Sequence, residues 1–471
     1  MLAGILQEFA EEAQAKIEQL QEELKETGDI GGFEQRVQEI VNKLVAAVEQ
    51  EVVEEVLSAP EMLAELKRIG GKLALRYKEY RKVSIQIGKG QSIVVRAPYF
   101  VKACSKRGRK KRGPNGSGSY LGLEVLGVME KSSPGLNSEV VKLAVLSPSL
   151  EVAREMLVGR GINLDVKTIR RMCSELGGRG MARRGQVSLT GDENLAGYTL
   201  VIGIDGGRLR ERRRKRGRKK EGQKRQGYHT DWREPKLFTL YLVDAQGEVV
   251  KEFDPLHDAT MGNHTAMFSL LEQYLTALDL TAVNRMVFCG DGASWIWLDV
   301  EELCHKLGLE QVCSVYQVLD YTHAKQNLQD IIDLLPRSLK GKPLAKLSQA
   351  WKTLLWEGNI QGLYTQITQY LQGIKKSKAL KKWRDFFEGN QHRLQYATFH
   401  SLHIPCGSGC VESAIRRVIN LRLKSAGFFW TKEMAECFLF LRSQLLSGRW
   451  STFLRNVSRQ TALLWLNLES A

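Results

Sequence analysis

A chain of 471 residues exceeds one ordinary core, so roughly two to four domains are expected. With 43% hydrophobic and 26% charged residues it has a globular composition, its apolar runs (Leu44 to Val48, for example) are far short of a membrane span, and its acidic start lacks the basic region of a signal peptide. The eight cysteines form no CxxC pair, which argues against a zinc ribbon or a secreted disulfide framework and fits a reduced, cytoplasmic protein; the Cys406-x3-Cys410 spacing is a weak metal signal.

Charge is uneven along the chain. Residues 1–60 hold four basic and fourteen acidic side chains, a net of −10, so the remainder carries +26 of the total +16. That asymmetry predicts an acidic helical segment joined to a body that meets a polyanion. Over 1–28 and 33–80 apolar residues recur at helical spacing (Val37, Ile40, Val41, Leu44, Val48), so residues 1–80 are expected to form two or three amphipathic helices. Such a prefix either packs on the body or self-associates. Residues 81–135 switch to β-branched alternation (Val83, Ile85, Ile87, then Ile93, Val94, Val95) around Gly88-Lys89-Gly90, a hairpin pattern. The basic, glycine-containing loop 106–114 follows and suits phosphate contact.

Residues 136–198 read as a helix-turn-helix-like region. Ser149 caps SLEVAREML, the turn VGRGIN follows, and Asp165 opens VKTIRRMCSELG, which Gly177-Gly178 is expected to end. The second helix carries Lys167, Thr168, Arg170 and Arg171, side chains able to reach phosphates and base edges.

From residue 199 the pattern becomes α/β. TLVIGIDGGRL is a buried strand running into Asp205. PKLFTLYLVDAQGEVVKEFDP reads as two strands joined at Ala245-Gln246-Gly247. Then come the helix HTAMFSLLEQYLTAL, the strand NRMVFCGDGASWIW reaching Asp291, the helix LDVEELCHKLGL, and the strand QVCSVYQVLDYTH reaching Asp320. This is the strand order of a ribonuclease H-like core, which places Asp205 and Asp291 side by side at adjacent strand ends. Asp-Gly pairs also make ordinary turns, the competing reading of each motif alone. Paired carboxylates at strand ends are what phosphodiester chemistry needs: two Mg²⁺ (or Mn²⁺) ions ~4 Å apart activate the nucleophile and steady the leaving oxygen, and such hard cations take oxygen ligands.

A third acid belongs on a later helix. Glu412 in HIPCGSGCVESAIRRVINLRLKSAGFFW fits: helix is expected from Val411, Ser408 caps it, and Glu412, Arg416 and Ile419 fall on one face. Arg416 and Arg417 suit substrate phosphates. The stretch 208–225 holds twelve Lys or Arg against Glu211 and Glu221, with Arg212, Arg213, Arg214, Lys215 and Arg216 at its centre. It is expected to be a loop or ribbon gripping DNA, with Tyr228, His229 and Trp232 just beyond it either packed or stacked on unpaired bases.

The set IDGGR, CGDGAS, LDYTHA and GSGCVES resembles bacterial insertion-sequence transposases of the DDE class, in the branch related to Mutator-like elements; the likeness covers 199–450. It implies an α/β ribonuclease H-like catalytic core (199–336 and 403–471) with an all-helical insertion at 337–402, centred on Trp351, Trp356 and Trp383, after a mainly helical N-terminal DNA-binding region. The gaps of 86 residues from Asp205 to Asp291 and 121 from Asp291 to Glu412 leave room for that insertion. The family's Asp/Cys-x-x-His element is matched by Asp320 and His323. There His323 approaches the scissile phosphate or orients Asp320; the plainer reading makes Asp320 a helix cap and His323 a polar residue of the first turn. The resemblance further implies binding of terminal inverted repeats and target DNA by a homo-oligomer at the nucleoid. A hydrolysing nuclease or resolvase of the same fold, and a non-catalytic DNA-binding regulator, are the competing functions.

Overall fold

In the computed structural model of the chain, helices form over Leu2–Thr27, Ile30–Ser58 and Pro60–Lys72. The structure describes residues 2–102, 118–217, 222, 226–339, 341–425 and 427–466; the basic loop 106–114 lies outside them. Two units are distinct, Met1–Leu176 with Leu454–Ala471, and Gly177–Phe453. The division therefore falls inside a continuous helix rather than at 198/199, and the C-terminal stretch goes with the first unit rather than with 403–453.

In the first unit, Asp29 caps the second helix by accepting the Gly32 N–H at 3.0 Å, and Pro60 opens the third. Helix was expected to continue to residue 80 but ends at Lys72. The Leu73 N–H closes on the Ile69 and Gly70 carbonyls, and Ala74 turns the chain with φ 54°. Strand β1 (Leu75–Gln86) then pairs antiparallel with β2 (Ser92–Lys102), and the two-residue β3 (Gly118–Ser119) adds to β2. Alternation buries Val83, Ile85 and Ile87 with Ile93, Val95 and Ala97 against Leu57. The Ile30–Ser58 helix guards the β2 edge: Gln50 and Glu54 side chains accept the Val94 and Arg96 N–H groups at 3.1 and 2.6 Å.

Helices Pro134–Leu146, Leu150–Val158 and Val166–Met181 follow. Ser149 accepts the Val152 N–H and Asp165 the Thr168 N–H, as capping residues do. Gly177-Gly178 does not stop the last helix. Neither glycine has a positive φ, and Gly177 lies where a β-carbon would strike Cys437 of the Lys432–Leu446 helix. Its lack of a side chain serves close approach, not termination.

The second unit is built on a five-stranded sheet. Its strands are β4 (Thr199–Gly206), β7 (Lys236–Val243), β8 (Leu256–Thr260), β9 (Arg285–Gly290) and β10 (Ser314–Leu319), in spatial order β10-β9-β4-β7-β8. β4, β9 and β10 are parallel, and β7 and β8 antiparallel. Between β4 and β7 a separate two-stranded ribbon forms from β5 (Leu209–Arg214) and β6 (Tyr228–Arg233). Residues 199–204 are buried throughout, the signature of a strand covered on both faces.

The third strand of this sheet is not where the apolar pattern put it. Asp244 accepts the Gln246 and Glu248 N–H groups at 2.9 Å and closes the expected turn, but beyond it Val249 alone bridges back to Val243. The strand is LHDAT, residues 256–260, whose polar side chains are buried. Asp258 is fully enclosed; Arg184 grips it at 2.9 and 2.7 Å, and the Tyr274 hydroxyl donates to it at 2.9 Å. A buried, paired charge reads as a surface residue in sequence, which is why the pattern missed it.

Residues 337–402 are helical wherever they are regular. Trp351 and Trp383 are buried, whereas Trp356 is partly buried, against the Tyr321 and Tyr396 rings. Among the described residues no helix is long and apolar enough to cross a membrane.

Candidate active site

The sheet register aligns three acids. Ile204 pairs with Gly290 across β4 and β9, and Leu319 with Gly290 across β10 and β9. The next residue in each case is Asp205, Asp291 or Asp320, so three neighbouring parallel strands each end on an aspartate at one level. Asp205 remains within β4, in extended backbone, and its Oδ1 accepts the Gly206 N–H at 2.6 Å. Asp291 does form a turn: its Oδ1 accepts the Ala293 N–H at 2.9 Å, while the Trp297 indole donates to its carbonyl at 3.1 Å.

Asp320 is fully buried and fully engaged. One carboxylate oxygen accepts the Thr322 and His323 N–H groups that open the Tyr321–Ile332 helix, and the other accepts the Ser408 N–H at 2.8 Å. It is thus the cap of its helix, and it also ties the β10 end to the segment carrying Glu412. Burial raises its pKa, but hydrogen bonding with His323 and the bond from Ser408 prevail and hold it below the usual range. His323 Nδ1 stands 3.7 Å from Asp320 Oδ2, ion-pair range but beyond a hydrogen bond. Asp320, with Asp291 and Asp205 adding, lifts the His323 pKa against the effect of burial.

Glu412 sits in the first turn of the Gly409–Ala414 helix, with its side chain exposed. That helix crosses β4 at Gly203, where a β-carbon would stand 3.0 Å from Val411 Cβ. A glycine inside an apolar strand marks such an approach, and IGID carried this signal. Ser408 does not cap the helix as expected. Its hydroxyl donates to Glu412 Oε1 at 2.8 Å instead. The helix continues through a π turn, Ile415–Asn420, to Leu423. The extra residue in that turn breaks the expected common face: Glu412, Arg416 and Arg417 are exposed, whereas Ile419 is buried against Gly207.

Asp205 senses its surroundings. Burial first, then the charges of Asp291 and Glu412, push the Asp205 pKa up to about 6, against the Gly206 N–H and His323. As the side chains stand, no three His, Cys, Asp or Glu among the described residues are drawn closely enough together to hold a metal ion. The donor set itself, hard carboxylate oxygens whose repulsion already distorts one member's acidity, fits a divalent cation.

Arg212, Arg213, Arg214, Lys215 and Arg216 are exposed along β5 and just beyond it, a few residues after the Asp205-Gly206-Gly207 segment. The ribbon is pinned at its base by Trp430, whose N–H donates to the Arg210 carbonyl at 2.9 Å and whose carbonyl accepts the Arg212 N–H at 2.8 Å. Lys167, Thr168, Arg170 and Arg171 belong to the first unit. Lys167 and Arg170 are exposed, Thr168 donates its hydroxyl to Asp165, and Arg171 pairs with Glu130. Ser408 and Gly203 are the site residues that the sequence reading missed in these roles. No protein family, curated protein or solved structure matches the chain.

Proposed function

We propose that this chain is a DNA transposase of the DDE class, cutting and joining DNA at a centre formed by Asp205, Asp291 and Glu412. The observation that carries the reading is the alignment of Asp205 and Asp291 at neighbouring parallel strand ends, with Glu412 near enough to add to the rise in the Asp205 pKa. Antiparallel pairing of β7 and β8 on one side of β4, and parallel pairing of β9 and β10 on the other, supports a ribonuclease H-like core with a helical insertion after β10.

Asp205, Asp291 and Glu412 would hold two Mg²⁺ or Mn²⁺ ions, which supply activation of water or a 3′-hydroxyl and charge relief on the leaving oxygen. The chain's own residues do the positioning. Gly203 lets the Glu412 helix lie on β4, and Ser408 steadies the Glu412 carboxylate. Asp320 fixes Ser408 and the His323 helix start, and orients His323 beside the acids. The exposed Arg212–Arg216 run, with Arg416 and Arg417, supplies phosphate contacts in the same unit, and the Val166–Met181 helix offers Lys167 and Arg170 for the element ends. The working place of such a protein is the nucleoid in the cytoplasm, as a homo-oligomer that joins two ends.

The test uses duplexes carrying the inverted repeats that flank the coding region. Asp205→Asn, Asp291→Asn and Glu412→Gln should each abolish Mg²⁺-dependent strand cleavage while duplex binding persists. Near-normal cleavage by any of them refutes the triad. A pre-cut donor end separates the transposase from a nuclease: products joined to target DNA are expected, and shortened ends alone would make the protein a hydrolase.

A further inference from the structure

The two faces of the β5–β6 ribbon differ in charge. Directly paired residues share a face. One face therefore carries Leu209 with Arg233, Glu211 with Asp231, and Arg213 with His229. Its cations are spoken for: Arg233 Nε bonds Glu211 Oε2 at 2.7 Å, and Arg213 Nε bonds Asp231 Oδ2 at 2.8 Å. The other face carries Arg210 with Trp232, Arg212 with Thr230, and Arg214 with Tyr228, and holds no acid.

That second face is also aromatic. Trp232 is 58% and Tyr228 47% exposed, although both are large rings. Arg210 lies between the Trp232 and Phe429 rings, 5.4 and 4.8 Å from their centroids, and Tyr228 leans on Phe429 at 5.8 Å. Arg210 and Phe429 thus stiffen a surface from which the Trp232 and Tyr228 rings stand out. No described residue forms an ion pair with Arg212 or Arg214. A purely structural ribbon gains nothing by leaving its two large rings and these cations on one acid-free face and neutralising the other. Duplex phosphates call for cations alone; rings interleaved with arginines suit a strand whose bases are unstacked.

We infer that the Arg210–Trp232–Arg212–Arg214–Tyr228 face of the ribbon binds single-stranded DNA, stacking unpaired bases on Trp232 and Tyr228 while Arg212 and Arg214 take the phosphates. The inference rests on the reading of the chain as a DNA-processing enzyme and specifies the strand state at its centre. The ribbon leaves β4 just after Asp205, so bases held there belong to a strand opened beside the acids.

The experiment measures binding of the full chain to a labelled oligothymidine strand and to a duplex of equal length. Trp232→Ala with Tyr228→Ala should weaken the single strand by about tenfold or more, given a stacking worth of ~1–3 kcal/mol per base, and leave the duplex within about twofold. Trp232→Phe with Tyr228→Phe should keep most of the affinity, since a phenyl ring still stacks. Unchanged duplex binding by the alanine variant doubles as the check that it is folded. Equal loss on both DNAs, or no loss on the single strand, overturns the inference. The acid variants lie outside this assay, so a failed strand preference and a failed catalytic triad are told apart.

Discussion

Replacing Asp205 by Asn removes a carboxyl whose ionisation works against the fold. Burial, with Asp291 and Glu412 as like charges, raises its pKa from the ordinary 3.8 to about 6. A carboxyl with a raised native pKa takes up its proton more readily in the folded state. Its contribution to stability is whole below about pH 3.8 and is lost as the pH rises through about 6. A gap of about two units is worth ~3 kcal/mol at most, and the partial exposure of Asp205 brings the expected value to about 1–2 kcal/mol. Asn keeps the oxygen that accepts the Gly206 N–H, so that hydrogen bond survives. Urea unfolding in chelator, run from about pH 4 to about pH 8, should show the Asn variant more stable above about pH 7 and the advantage fading toward the acid end. Mg²⁺ should reverse the order by stabilising the wild type alone. A variant no more stable than wild type above about pH 7, or a difference independent of pH, refutes the electrostatic account of the site.

Three further outcomes are expected. Gly203→Ala forces a β-carbon against Val411, so single-turnover cleavage should fall about tenfold or more while duplex binding holds, at a stability cost of ~1–3 kcal/mol. Arg184→Ala strands the buried carboxylate of Asp258 and removes a partner of Glu436; a loss of ~3–5 kcal/mol in the unfolding midpoint analysis is expected. Ser408→Ala frees the Glu412 carboxylate at little cost in stability, below about 1 kcal/mol, and should lower the cleavage rate, with Ser408→Thr restoring it.

What the sequence made legible follows from what each segment buries. β4, β9 and β10 are apolar runs ending on aspartates, so their positions and their acids could be read directly. β8 could not, because its polar side chains are buried, and Asp258 and Thr260 satisfy their polarity inside the unit: Asp258 through Arg184, and Thr260 by donating to Glu436 at 3.1 Å. Periodicity sees residue type and not partnership. The Glu412 helix, expected from Val411, begins at Gly409, and its buried face differs from the expected one. A π turn adds a residue without a sequence mark and rotates Ile419 inward. Gly177 was read as a stop because glycine more often ends helices than lets two of them touch. Ser408 does stand at the N-cap position, but its hydroxyl donates to the carboxylate four residues on instead of accepting a backbone N–H.

Three aspartates end three neighbouring strands at one level, yet they are not equivalent, and their hydrogen bonds say why. Asp320 spends both oxygens on three backbone N–H groups and is fully buried, so neither of its oxygens is left uncommitted for a cation or a phosphate. Its reward is rigidity: one side chain joins the end of β10, the start of the His323 helix and the residue that holds Glu412. Asp205 and Asp291 each commit only Oδ1, to a single N–H, and among the described residues their Oδ2 atoms accept nothing. Glu412 likewise commits only Oε1. The three acids with an uncommitted oxygen are the three assigned to the chemistry, and the fourth is the one that places the third. On this account Asp320 is a positioning residue, and the catalytic role passes to the acids whose repulsion the fold has left unrelieved.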